Sequence, residues 1–119
     1  VSTLKETVFA GRNNAIRLAL SEDGVLFQTA YPDVTPLRWV LTIEAETPVE
    51  IDSDVSAGAF DWDSETSVLE LRLGSLVSEA LSYTLCTLVM YSVEWPAGLV
   101  WFNPTCTPDK LSIRVCTLT

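Results

Sequence analysis

The segment Leu81-Ser-Tyr-Thr-Leu-Cys-Thr-Leu-Val-Met-Tyr91 constrains the fold more than any other. It has no charge, no glycine and no proline, and its residue types suit a pleated sheet. A central strand is expected there. Leu81, Tyr83, Leu85, Thr87, Val89 and Tyr91 share one face and Ser82, Thr84, Cys86, Leu88 and Met90 the other; both faces are apolar enough to be covered at least in part. Such a strand needs a neighbour on each edge and a second layer against at least one face.

The remaining segments can supply both. Leu4 to Ala10 alternates weakly and reads as a first or edge strand, and Gly11-Arg-Asn-Asn14 then turns the chain, since asparagine tolerates left-handed backbone. Ala15 to Leu20 sets Ile16, Leu18 and Leu20 on one face, and Asp23-Gly24 marks a tight reversal into Val25-Leu-Phe27. Two prolines make Thr29 to Pro36 a connecting loop. Leu37 to Glu44 restores period two, with Leu37, Trp39, Leu41 and Ile43 together, and Trp39 suits the place of the core tryptophan of immunoglobulin-type sandwiches.

Beyond it, Pro48 to Ile51 reads as a short strand and Asp52 to Ser64 as a polar loop interrupted by Ala59-Phe60 and Trp62. Thr66 to Leu73 is a strand with Leu69, Leu71 and Leu73 on one side, ended by Gly74, and Leu76 to Leu81 suits one helical turn. Glu94-Trp-Pro-Ala-Gly98 closes a hairpin into Leu99-Val-Trp-Phe102, Asn103 to Pro108 is a rigid loop, and Leu111 to Leu118 is a last strand. Seven to eight short strands with turn residues between them predict an all-β protein, one antiparallel β-sandwich of immunoglobulin-like type spanning residues 1–119. Trp39, Leu41, Leu71, Leu85, Val89 and Val115 are its expected core.

Composition narrows the function classes. Sixteen acidic against seven basic residues give a formal charge of -9, so counterion release on a phosphate backbone gains little and no direct nucleic-acid partner is expected. The longest apolar runs, 81–91 and 98–102, fall short of the roughly 20 residues of a membrane-spanning helix, and no membrane partner is expected either. Val1-Ser-Thr-Leu-Lys-Glu6 lacks the pattern of a secretory signal, which favours an intracellular product. Cys86, Cys106 and Cys116 have no C-x-x-C spacing, and the chain has no histidine; three reduced thiols and no metal framework are the expectation.

The same absence of histidine removes the usual general base and triad orienter, leaving carboxylates, hydroxyls, and Lys5 and Lys110, both expected to be solvated. No catalytic residue and no cofactor is assigned. Asp52-Ser-Asp54 and Asp61-Trp-Asp63 carry oxygen ligands of the kind Ca²⁺ takes, without EF-hand spacing, and solvation in a loop is favoured for them. A hydrolase built on these aspartates is a distant reading. Phe60, Trp62, Trp95, Pro96 and Phe102 lie in or beside loops, where rings either plug the core or anchor a protein partner. Taken as anchors, they predict a weak self-associator whose stable state is a multi-copy assembly.

Phe9-Ala-Gly-Arg-Asn-Asn-Ala-Ile-Arg-Leu-Ala-Leu-Ser-Glu-Asp-Gly24, Trp62-Asp63 to Leu73-Gly74, Tyr83 to Tyr91 and Gly98-Leu-Val-Trp101 together resemble small virion proteins of tailed bacteriophages. Their order is similar to that of the immunoglobulin-like modules of phage baseplate and tail proteins. The resemblance implies a non-enzymatic, multi-copy capsid decoration or tail or neck adaptor, located in the virion after assembly in the host cytoplasm. Its partners would be other capsid or tail proteins. The alternative expectation is a free acidic intracellular effector or inhibitor that binds a basic protein.

Overall fold

A computed structural model describes residues 3–117. In chain order its strands are β1 (Thr3–Phe9), β2 (Ile16–Ala19), β3 (Ser21–Glu22), β4 (Val25–Leu26), β5 (Arg38–Ile43), β6 (Val49–Asp52), β7 (Phe60–Asp63), β8 (Val68–Leu71), β9 (Leu81–Tyr91), β10 (Leu99–Phe102) and β11 (Lys110–Cys116). A four-residue helix, α1 (Phe27–Ala30), follows β4. The protein is all-β, and no helix among the described residues is long and apolar enough to cross a membrane.

The uncharged segment is indeed the central strand, and its length lets it serve more than two neighbours. Along one edge β9 pairs antiparallel with β5, from Ile43 opposite Cys86 to Arg38 opposite Tyr91. The other edge is divided: β11 takes the Leu81–Leu85 half and β10 the Leu88–Met90 stretch. With β6 outside β5 and β1 outside β11, the order is β1-β11-β9-β5-β6 with β10 attached to β9. β1 runs parallel to β11, so the larger sheet is mixed rather than purely antiparallel. A second sheet, β2-β8-β7, is antiparallel, and β3-β4 forms a separate ribbon.

Register selects the buried face of β9. Trp39, Leu41 and Ile43 of β5 stand opposite Met90, Leu88 and Cys86, while the alternate β5 positions include Arg38 and Thr42, which stay half-exposed. The first set turns inward and meets Ile16 and Leu18 of β2, Leu69 and Leu71 of β8, and Leu111, Ile113 and Val115 of β11 in one core. Trp39, Leu41, Leu71 and Val115 are buried as expected. Leu85 and Val89 are corrected: they lie on the outer face of β9, Leu85 with 37% of its surface exposed. Both faces of the segment are apolar, so period two could not choose between them; the polar alternation of β5 does. Leu37, just before β5, is likewise exposed.

Other departures have local causes. There are eleven strands among the described residues because β3 and β4, two residues each, flank the Asp23-Gly24 reversal, and because β7 lies in the stretch read as a polar loop. Phe60-Asp-Trp-Asp63 is a period-two segment whose rings pack on the core while its carboxylates face water. Asp23 and Gly24 both have positive φ, 52° and 79°, the backbone a two-residue hairpin requires. Phe27 begins α1 rather than ending a strand, and the single helical turn falls at Gly74–Leu76, before the position expected.

β8 ends at Leu71, before Gly74, and this glycine serves a close approach instead. A Cβ there would lie 1.9 Å from the Arg12 carbonyl oxygen, and the Gly11 N–H donates to the Gly74 carbonyl at 2.6 Å, so only glycine lets the Gly11–Asn14 turn close onto this segment. Asn14 holds the same turn through its side chain, accepting from the Phe9 N–H at 3.2 Å and donating to the Thr7 carbonyl at 3.1 Å. The last strand ends at Cys116; Leu118, assigned to it from the sequence, lies outside the described residues, as do Val1 and Ser2.

Candidate functional site

The loop aromatics gather at the end of the molecule where β9 finishes, around Phe27, which is completely buried. Its ring lies 5.3 Å from Tyr31, 6.1 Å from Trp62, 6.0 Å from Trp95 and 5.3 Å from Trp101, centroid to centroid. Tyr31 meets Trp95 edge-on at 5.2 Å, and Trp39 extends the cluster to Trp62 at 5.4 Å. These separations are those of mutually stabilising ring pairs. The cluster is carried by β5, β7, β10, α1 and the β9–β10 turn, elements far apart in sequence.

Polar contacts fix the rings. Gln28 accepts the Trp62 indole N–H at 3.0 Å and donates its amide to the carbonyls of Tyr31 (2.8 Å) and Val34 (2.7 Å), while its own backbone N–H donates to the buried Ser67 hydroxyl at 3.0 Å. One glutamine thus ties the Pro-rich connection to β7. The Trp95 backbone N–H donates to the Ser92 hydroxyl at 3.2 Å. The Trp101 Nε1 is buried without a hydrogen-bond partner among the described residues, and its ring is held edge-on against Phe27 instead.

Of the five candidate anchors, Phe60, Trp62 and Trp95 are half-buried and packed on the core, and Pro96 is exposed. Phe102 is corrected as a surface residue: at 6% exposure it is buried, because its pairing opposite Leu88 turns the ring toward the core.

The aspartates do not converge. Asp52 takes a two-pronged contact from Arg38, with Nε to Oδ1 at 3.0 Å, and also accepts the Asp54 backbone N–H at 3.0 Å; Asp54 itself lies 3.4 Å from the same guanidinium. Asp61 lies 3.4 Å from Arg72, which also contacts Glu70 at 2.7 Å, and Asp63 accepts the Glu65 backbone N–H at 2.9 Å within its turn. The first pair sits at the end of β6 and the second on β7, in different sheets. Among the described residues no group of three or more Asp, Glu, Cys or His is placed to hold a metal ion. Lys110 is corrected too: it is half-buried and donates to the carbonyls of Asn103 (3.1 Å) and Thr107, closing the 103–109 loop.

The Arg38 hydrogen bonds lower the Asp52 pKa from 3.8 to about 2. A carboxylate with a depressed folded-state pKa stabilises the fold above its unfolded value, and the gain is lost as pH falls through the folded one. Asp52→Asn should therefore lower the melting temperature at neutral pH. Between pH 4 and 2 the gap to wild type should close, and a gap that stays constant with pH would refute the ion-pair account.

All three cysteines are free. Burial pushes the Cys86 thiol up to about 12, whereas Cys106 is exposed in its loop. Because the thiolate is the nucleophile, alkylation of the native protein at neutral pH should label Cys106 first and spare Cys86 until denaturant unfolds the chain. Mass mapping that finds Cys86 labelled at the rate of Cys106 would contradict its position in the core.

Two further surfaces were not apparent from the sequence. An open groove of about 350 Å³ between the β5–β6 turn and the segment before β9 has Val49, Val77 and Leu81 among its walls, with Glu46 and Glu79 beside them. On the outer face of the larger sheet, Lys5 and Arg114 flank the exposed Tyr83 ring, 5.4 Å and 5.1 Å from its centroid. The signal for this second surface was present: Tyr83 and Leu85 have opposite parity to the buried Cys86, Leu88 and Met90. No protein-family model matches the chain, and no curated protein is found similar to it.

Proposed function

We propose that this chain is an immunoglobulin-like β-sandwich that serves as a non-enzymatic structural component of a tailed-phage virion. It acts through protein–protein contacts, as a multi-copy capsid decoration or a tail or neck adaptor. The observation that carries the reading is the strand order. A sheet β1-β11-β9-β5-β6, with β1 parallel to β11, shares its core with β2-β8-β7, and a buried tryptophan sits on β5. That arrangement supports the sandwich type to which the phage modules belong. In place of an inter-sheet disulfide, buried Cys86 of β9 stands in a core to which β2 contributes Ile16 and Leu18. Three free thiols suit assembly in a reducing cytoplasm.

The absence of histidine and the engagement of Asp52, Asp54 and Asp61 by arginines support a role in contact rather than catalysis. Mass spectrometry of purified particles should find the chain at many copies per virion. Its absence from particles would overturn the proposal. One observation favours the second reading, an acidic effector of a basic partner: the groove that Glu46 and Glu79 border, whose partly apolar walls suit a segment pairing a lysine or arginine with aliphatic neighbours. Capture of a basic protein that is lost as salt rises, by a chain missing from virions, would select it.

A further inference from the structure

We propose that copies of this chain associate head to tail, the acidic β3-β4 hairpin of one copy docking on the outer sheet face around Tyr83 of the next. The hairpin is an arm with no shelter of its own. Every residue from Ser21 to Leu26 is exposed, including Val25 and Leu26 at 44% and 39%. Its tip carries Glu22 and Asp23, and among the described residues neither forms an ion pair. It therefore presents two carboxylates beside two aliphatic side chains.

The receiving face has the complementary chemistry. Arg17, Arg38 and Arg72 are each paired with carboxylates, but Lys5 and Arg114 have no acidic partner among the described residues. Both lie against the Tyr83 ring, and Arg114 is steadied by the Thr7 hydroxyl at 3.4 Å. Tyr83 is 43% exposed and Leu85 beside it 37%. Two cations with apolar surface between them, on a chain of net charge -9, select an acidic and aliphatic occupant, and the chain's own arm is one.

The arm cannot reach this face within one copy. Phe27, which follows the arm directly, packs 6.0 Å from Trp95, just beyond the end of β9, whereas Tyr83 lies near its beginning. The stretch from Tyr83 to Tyr91 spans roughly 26 Å at about 3.3 Å per residue. Arm and face thus stand toward opposite ends of a molecule 45 Å long. A contact between two different surfaces is heterologous, and repeated it closes a ring or extends a filament. A six-residue arm covers less than the ~800 Å² per partner of a standard interface, so free copies associate weakly and a scaffold multiplies the contact.

This contact deepens the multi-copy reading and rests on it, yet its test needs no particle, so either can fail alone. Sedimentation velocity of the purified chain at physiological ionic strength should show an average sedimentation coefficient that rises with concentration. Arg114→Glu and Glu22→Lys, both at exposed positions, should each weaken association roughly tenfold or more. Mixing the two variants should restore association as a one-to-one complex, because the intact arm of one meets the intact face of the other. Circular dichroism and melting temperature verify the fold, and Lys5→Glu replaces Arg114→Glu should that variant unfold. A wild-type chain that stays monomeric throughout, variants that associate as wild type does, or a mixture that stays dissociated would each overturn the proposal.

Discussion

Phe27→Ala is expected to destabilise the protein by about 3–5 kcal/mol, the range for removing a fully buried phenylalanine. The effect should lie at the upper end because the ring is the common neighbour of Tyr31, Trp62, Trp95 and Trp101, and its loss leaves a cavity between four rings held by the end of α1, β7, the β9–β10 turn and β10. These rings cannot collapse together without moving Gln28, whose amide holds Trp62, Tyr31 and Val34 at once. Urea unfolding followed by tryptophan fluorescence measures the cost. Phe27→Leu, which keeps most of the volume, should recover much of the stability. A loss below about 1 kcal/mol for Phe27→Ala would mean that the cluster is not core, and Trp62 and Trp95 would then regain their standing as contact anchors. If they are core, Trp62→Ala and Trp95→Ala lower the melting temperature together with any loss of incorporation into particles.

The main strands of the larger sheet were legible because each carries a local signal, a period or a β-prone composition. Leu37 to Glu44 alternates, Leu81 to Tyr91 is uncharged and β-prone, and two turn signals fall where the chain reverses, Asp23-Gly24 between β3 and β4 and Glu94 to Gly98 between β9 and β10. What a single strand cannot express is its partner. The parallel pairing of β1 with β11 joins residues from opposite ends of the chain, and the division of one β9 edge between β10 and β11 depends on its length relative to theirs. The aromatic cluster was only half legible for the same reason. Trp62 and Trp95 were visible as rings in loops, but Phe27, the residue they surround, sat in an apparent hairpin strand. The contact face around Tyr83 was hidden by the misassigned parity of β9, since a face taken as core is not searched for partners.

That parity gives the second large effect. Leu88 is completely buried and stands opposite Leu41, itself completely buried, so Leu88→Ala removes packing in the core that the two sheets share and should cost about 2–5 kcal/mol. Leu85, three residues earlier in the same strand, faces outward with 37% of its surface exposed, and Leu85→Ala should cost less than about 1 kcal/mol. A one-residue change of register would exchange the two results, because it carries every side chain of a strand to the opposite face. The comparison therefore reads the register of β9 against β5 directly, and with it the placement of Tyr83, whose parity is that of Leu85. Equal losses at the two positions would mean that the outer face is covered as well, leaving no open surface at Tyr83 for a second copy to occupy. Stability lost at Leu88 alone, with Leu85→Ala folding normally but associating less, would tie the buried face to folding and the outer face to assembly.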